Sequence, residues 1–426
     1  MIHYSKNLWN RDLKRFQSGY FKVENQRISE IEFKSPAFGS STEDWGDLYL
    51  APASIDLHVH ARDFEESHKE TFETVEAAAK KGGVAAIACL ANTRPRRDSV
   101  ASIQEFIKRT ESKKVLFRPF AAVTKDLAGK ENTDWQALLK LPIAGLSDDG
   151  KPIEDPERMR AVMKVLKGTS KLLSLHEEDL SLSQGSCLHE SPAACRWGVV
   201  ASPPSAEVSM VERDLRLAKE LGVSLHFAHM SSREGVQLLN AARKKGIKFS
   251  AELTPHHALL TVDEVLKMKV DQLSQFKVCP PVRGLEDQLA LRSNFLDGTL
   301  DCFATDHAPH SLFDKELPIE GALHGFSSLE WHWTLANELR LQAGVDWSVL
   351  IRATAERPAE LLGLSNRLGS LAKGKDASFI VFDPLEEVLL VPGASKNHNG
   401  PWAGRRCRGK LVATWLGGER VYEARS

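Results

Sequence analysis

The chain has 426 residues, 42% hydrophobic and 27% charged, with a formal net charge of -1. That length accommodates one large α/β barrel and a small accessory domain, and the composition is that of an ordinary globular protein. The near-neutral charge gives no electrostatic basis for binding nucleic acid or an anionic membrane, and short basic clusters such as 94–97 and 405–408 read as solvated faces.

In chain order, MIHYSKNLWNRDLKRF lacks the apolar stretch of a secretory signal. The rest of the first 50 residues reads as short strands, for example YFKVENQRISEIEFK. From residue 51, apolar runs alternate with helical stretches. The runs are 53–58, 84–91, 115–123, 142–146, 171–175, 223–228, 247–253 and 300–304. Between them lie TFETVEAAAKKG, DPERMRAVMKVLKGT, AEVSMVERDLRLAKELG and REGVQLLNAARKKG, each closing near a glycine that favours a helix C-terminus. Eight strands alternating with helices predict an α/β fold, a (β/α)8 TIM barrel over 51–364. Strand character returns near the end in DASFIVFDP and GKLVATWLGGERVYE, with Gly417-Gly418 as a hairpin turn. Residues 1–50 and 365–426 are expected to form a small β-sandwich domain built from both termini. Residues 181–205 are expected to be the longest irregular loop, and 311–324 is a candidate lid.

No apolar run reaches the roughly 18 residues of a membrane span. The six cysteines contain no C-x-x-C pair and several lie in apolar runs, so they read as reduced thiols in a cytoplasmic protein.

In a (β/α)8 barrel, chemistry collects at the C-terminal ends of the strands. The first run ends in IDLHVHARD. His58 and His60 are two residues apart, so both imidazoles point to one side of a strand end, and Arg62 follows. The second run ends at Asn92, the fourth at Asp148 and Asp149, and the fifth at His176. The sixth ends at His229, the seventh leads into His256 and His257, and the eighth ends at Asp306, with His307 and His310 beyond. Each has an ordinary alternative: SDDG makes a turn, and a lone buried histidine is usually a hydrogen-bonded core residue, as expected for His226. The coincidence at one rim points instead to metal. His and carboxylate ligands suit Zn²⁺ or a similar ion, and four histidines with two aspartates suit two ions sharing a carboxylate. Such a site hydrolyses amides or esters.

These pieces resemble a dihydroorotase of the amidohydrolase superfamily, of the class with an aspartate-bridged binuclear site. The matching motifs are IDLHVHARD, CLANTRP, SDDG, LHEEDL, FAHMSSREGV, AELTPHHALLT, KVCPPVR, ATDHAPH, HGFSSLE and NHNGPWAGRRCRGKLVATWLGGERV, in order over almost the whole chain. The resemblance implies that His58, His60 and Asp306 hold one zinc ion and His176 and His229 the second. Asp149 bridges the two, with Asp148 as the alternative one residue earlier. It implies that Arg62, Asn92 and His310 hold the substrate carboxylate and that His60 also faces the substrate. The backbone of His324 and Gly325 would meet the pyrimidine ring. Asp306 would carry the proton in reversible closure of N-carbamoyl-L-aspartate to L-dihydroorotate, a step of pyrimidine (UMP) biosynthesis. A homodimer, or a complex with aspartate transcarbamoylase, is the assembly implied.

The motifs depart from the family in three places. Asp63-Phe64-Glu65 replaces DPG, Cys279-Pro280-Pro281 replaces NPP, and Gly325-Phe326-Ser327-Ser328 replaces GFET or GLET. The family asparagine at Cys279 contacts the ring. Two alternatives therefore stay open: another cyclic amidase of the hydantoinase, dihydropyrimidinase or allantoinase type, and a non-catalytic partner of aspartate transcarbamoylase.

Overall fold

The structure is a computed structural model and describes every residue except 37, 38, 40, 425 and 426. Five strands open the chain: β1 (Ile2–Asn10), β2 (Arg15–Glu24), β3 (Arg27–Glu32), β4 (Thr42–Asp44) and β5 (Tyr49–Pro52). Then come β6 (Ser54–Val59), β7 (Val84–Cys89), β8 (Leu116–Ala121), β9 (Gly145–Leu146) and β10 (Leu172–Leu175). A short pair, β11 (Leu188–His189) and β12 (Ala201–Ser202), precedes β13 (Leu225–Phe227), β14 (Phe249–Leu253) and β15 (Cys302–Phe303). β16 (Phe379–Leu389), β17 (Arg406–Leu416) and β18 (Glu419–Glu423) close the chain.

β6 to β10 and β13 to β15 form one parallel sheet in chain order, and every expected barrel strand is present. Val59 bridges to His307, and His60 N donates to His307 O at 2.8 Å, so the first wall meets the last and the sheet curls into a barrel. β6, β7 and β14 are buried along their whole length, as expected of parallel strands covered on both faces. Helices such as Phe72–Lys81, capped by Thr71 and ended at Gly82, supply that cover. At β9 a Cβ on Gly145 would collide with the Leu172 carbonyl, so the strand that delivers Asp149 packs close only because it carries glycine.

The terminal strands form a second sheet in the order β18-β17-β16-β5-β1-β2-β3, with β4 beside β1. Flat, β1 and β17 would stand three strand spacings apart, roughly 14 Å. The His3 ring instead meets the Trp415 ring at 4.6 Å and the Phe379 ring at 4.8 Å. The sheet is rolled over its own core of Leu8, Phe21, Ile28 and Val381, so the two layers of the expected sandwich are halves of one continuous mixed sheet. The hairpin at Gly417-Gly418 joins β17 to β18 as expected.

Two segments differ from expectation. Residues 181–205 are not irregular: they hold the β11–β12 pair and the helix Pro192–Trp197. Residues 395–400, numbered with the small domain, pack on the barrel rim, where Asn399 Nδ2 donates to Gly325 O at 2.7 Å and its Oδ1 accepts from His310 N at 2.8 Å. No described helix is long and apolar enough to cross a membrane.

Candidate metal centre

The strand ends converge on Asp149. Its Oδ2 lies 3.3 Å from His58 Nε2 and 3.6 Å from His60 Nε2. Its Oδ1 lies 3.1 Å from His229 Nε2 and 3.6 Å from His176 Nδ1. One carboxylate thus faces two histidine pairs, one pair on each oxygen. Asp306 Oδ1 adds a second carboxylate on the first side, 3.1 Å from His60 Nε2 and 3.6 Å from His58 Nε2. All six side chains are buried.

The other ring nitrogens fix the tautomers. His58 Nδ1 donates to Glu252 Oε2 at 3.0 Å, His60 Nδ1 to Asn92 Oδ1 at 2.9 Å, and His176 Nε2 to Glu178 Oε2 at 3.0 Å. In the neutral rings the nitrogen left over, the one on the Asp149 side, is the one available to a metal ion. Buried His58 Nε2 has no hydrogen-bond partner. Ligand atoms bound to one tetrahedral zinc at about 2.0–2.1 Å sit roughly 3.4 Å apart, which is the spacing found here. The donor set fits divalent ions.

The electrostatics are those of a buried charge cluster. Burial opposes a charge on His58, yet Asp149 and Glu252 lift its pKa well above the ordinary imidazole value. Burial also opposes charge on His176, but Asp149, Cys279 and Glu178 raise it as well. Burial would raise Asp149, but His58, His176 and His229 hold it well below the usual carboxylate range. Asp306 is likewise lowered, against its burial, by His60 and His58. His229 and Asp306 both have positive φ, 30° and 47°, a conformation costly for residues other than glycine and concentrated at functional sites.

Asp148 is accounted for otherwise. It accepts from Val123 N at 2.7 Å and from Thr124 N at 3.1 Å, so it fixes the turn and leaves Asp149 to face the histidines. His226 faces the core as expected, between Ser250 Oγ at 2.7 Å and Glu252 Oε1 at 2.9 Å. His257 donates from Nε2 to Pro280 O at 3.1 Å and pins the loop carrying Cys279.

The cluster floors a cavity of about 980 Å3, whose wall includes Arg62, Asn92, Cys279, His310, His324 and Gly325. Arg62 is buried; its Nε donates to Pro309 O at 3.3 Å, and among the described residues the carboxylate that pairs with it, Glu66, is 3.9 Å away. With Asn92 Oδ1 committed to His60, the amide Nδ2 remains to donate. His310 Nε2 donates to His324 O at 2.8 Å, which leaves the Nδ1 lone pair without a partner. Burial and Arg62 depress its pKa, so the free ring is neutral.

Of the backbone expected to meet a ring, that of Gly325 is already paired. Gly325 N donates to Lys277 O at 3.0 Å, and Gly325 O accepts from Asn399 Nδ2 and from Lys315 Nζ, the latter at 3.3 Å. Gly325 has φ 141°, and a Cβ there would lie 2.6 Å from Ala308 O. Its contribution is close packing rather than a free donor. The candidate lid is similarly tied down: Lys277 Nζ donates to Ile319 O at 2.7 Å, and buried Lys315 Nζ to Leu323 O at 3.0 Å.

The departures from the family motifs have local explanations. Asp63 accepts from Phe72 N at 2.8 Å and pairs with Arg109 at 3.0 Å, while Phe64 packs under the Arg109 guanidinium at 4.5 Å. Ser328 N donates to His307 Nδ1 at 3.2 Å and its Oγ to Thr305 O at 3.1 Å, so the serine pair still braces the rim. Sequence reasoning missed Glu252, Glu178 and Asn399. The signal for Glu252 was a carboxylate inside the apolar strand FSAEL, a position that requires partners.

Residues 48–235 match the dihydro-orotase-like family model and 237–422 the amidohydrolase family model. A dihydroorotase of Bacillus cytotoxicus is 34% identical over 408 residues, covering 95% of this chain and 94% of the relative. One of Syntrophus aciditrophicus is 35% identical over 409 residues, covering 94% of each. Among solved structures, an L-hydantoinase (dihydropyrimidinase) from Arthrobacter aurescens superposes with a TM-score of 0.86 at 22% identity, over 99% of this chain and 96% of that one, and so shares the fold. At 34% and 35% identity over nearly the full length of these dihydroorotases, the chain belongs to the dihydroorotase family of amidohydrolases.

Proposed function

We propose that this protein is a dihydroorotase, a metal-dependent cyclic amide hydrolase that closes N-carbamoyl-L-aspartate to L-dihydroorotate with loss of water and reopens it. The observation carrying the proposal is one carboxylate, Asp149, between two histidine pairs in the same cavity as a buried arginine. In this reading His58, His60 and Asp306 would hold one zinc ion and His176 and His229 a second, with Asp149 serving both. Such ions, when bound, acidify water and polarise a carbonyl. Arg62 offers a bidentate, charge-assisted pair to the substrate carboxylate, with Asn92 Nδ2 beside it. His310 joins them as a donor in its other neutral tautomer, with the proton on Nδ1 and Nε2 facing Arg62 Nη2 at 3.4 Å. His60 and Cys279 border the ring, and His324 and Gly325 wall it. Asp306 takes a proton from the attacking water and hands it to the leaving ring nitrogen. Run backwards, it deprotonates the carbamoyl nitrogen and protonates the departing oxygen.

The same reading sets the protein in the cytoplasm, in pyrimidine synthesis. It treats 51–364 as the catalytic unit, because every site residue falls there, and 1–50 with 365–426 as the accessory unit. Its assembly is a homodimer or a complex with aspartate transcarbamoylase, which sedimentation alone and with that enzyme distinguishes. The second reading, a cyclic amidase for another ring, is favoured by Cys279 alone. Ring opening of dihydroorotate, a hydantoin and dihydrouracil, measured side by side, separates them: dihydroorotate is turned over at least about tenfold faster (kcat/KM), the worth of one charge-assisted pair. Equal or faster turnover of the rings without a carboxylate overturns the proposal.

A further inference from the structure

His176 has a second cluster on its far side. Its Nδ1 faces Asp149, while its Nε2 lies 3.0 Å from Glu178 Oε2 and 3.7 Å from Cys279 Sγ. One ligand atom from each of His176, Glu178 and Cys279 lies within 4.8 Å of the others. Glu178 and Cys279 both line the cavity, so the cluster is open to ions entering with the solvent. Its thiol is held in place from behind, since His257 pins the Pro280 carbonyl that follows Cys279. Nitrogen, carboxylate and thiol together select a soft or borderline ion such as Zn²⁺ or Cd²⁺ over Mg²⁺ or Ca²⁺.

We propose that Cys279, Glu178 and the far nitrogen of His176 form an additional thiophilic metal site, through which excess Zn²⁺ or Cd²⁺ inhibits this enzyme. The site goes beyond the function proposed above; its geometry stands apart from that reading, while its inhibitory effect rests on it, since Cys279 borders the ring there. Binding is a plain ligand exchange. The ion displaces the Cys279 thiol proton and the His176 Nε2 proton, both of which pass to solvent, and Glu178 binds as the carboxylate it already is. No oxidant or reductant is needed. His176 then links two ions through its two nitrogens. The bound ion fills the ring side of the cavity, so it excludes substrate. An asparagine at position 279, as in the family pattern, supplies no thiolate and removes the site.

The test uses full-length enzyme carrying its resident metal, in a Cys195→Ser background because Cys195 is the exposed cysteine. Cd²⁺ is added stepwise, and the thiolate-to-cadmium charge-transfer absorbance and the bound ions per chain are recorded. We expect one extra ion per chain, appearing with that absorbance. Cys279→Ser and Cys279→Asn each abolish both. Glu178→Gln weakens uptake by at least about tenfold, the scale seen when a carboxylate beside a metal is neutralised. Inhibition by excess Zn²⁺ is competitive with substrate and vanishes in Cys279→Asn. No thiolate absorbance in the parent, absorbance that survives Cys279→Ser, or equal Zn²⁺ inhibition in parent and Cys279→Asn overturns the proposal. The resident ions have nitrogen and oxygen ligands only, so their number, counted before Cd²⁺ is added, reports separately on the Asp149 centre.

Discussion

His58 Nδ1 donates to Glu252 Oε2 at 3.0 Å, across the closure of the barrel from β6 to β14. The same carboxylate accepts from His226 Nε2 at 2.9 Å and from His229 N at 3.1 Å. Glu252 therefore sets the tautomer of a histidine on one side of Asp149 and the backbone of a histidine on the other. Glu252→Gln keeps the shape but loses the charge and one acceptor. We expect metal affinity to fall about 10- to 100-fold, the usual cost of removing such a partner. Equilibrium dialysis of the variant measures it, and unchanged affinity would show that packing alone orients His58.

Asp306 touches both His58 and His60 and faces the cavity, placed to exchange protons with substrate. Asp306→Asn is nearly isosteric and cannot accept a proton. Turnover falls by at least about 100-fold, the scale of general acid–base catalysis. Metal content measured on the same sample separates proton transfer from ligand loss. Near-normal turnover would pass the role to His256, which is buried without partners and held at about 4 by that burial.

Arg62 is a buried cation whose nearest carboxylate is 3.9 Å away, poor pairing for a group so costly to bury. A substrate carboxylate completes it. Arg62→Met raises KM for dihydroorotate by about 10- to 100-fold, the worth of a charge-assisted hydrogen bond. Turnover of an uncharged ring analogue changes little. An equal loss on both substrates would make Arg62 a structural residue.

Ring opening turns a neutral amide into a carboxylate and releases a proton. Well above the carboxylate pKa of about 4, the equilibrium therefore moves toward the ring by about tenfold for each pH unit lowered. Mildly acid conditions favour closure and alkaline conditions favour opening. Chromatographic quantitation of both species at equilibrium checks this. A ratio flat with pH would mean a different reaction.

Much of this architecture is written locally. Each barrel strand is a short apolar run, and the rim residues follow directly, so His58, Asp149, His176, His229 and Asp306 can be placed by counting strand ends. What escapes is non-local. Glu252 acts through histidines 194 and 26 residues away, and Asn399 reaches Gly325 across 74. The pairing of the Gly325 backbone with Lys277, Lys315 and Asn399 follows from how the loops cross, which no short pattern encodes. Residues 181–205 look like loop because β11 and β12 are two residues each, too short for a periodic signal.

The Asp149 carboxylate stands at the centre of the site. Asp149 has one histidine pair on each oxygen, so two ions should depend on one carboxylate. Elemental analysis of gently purified wild type and Asp149→Ala tests this directly. Close to two divalent ions per chain are expected in the wild type, and one or fewer in the variant, with activity lost alongside. About one ion per chain in both proteins would contradict the bridge.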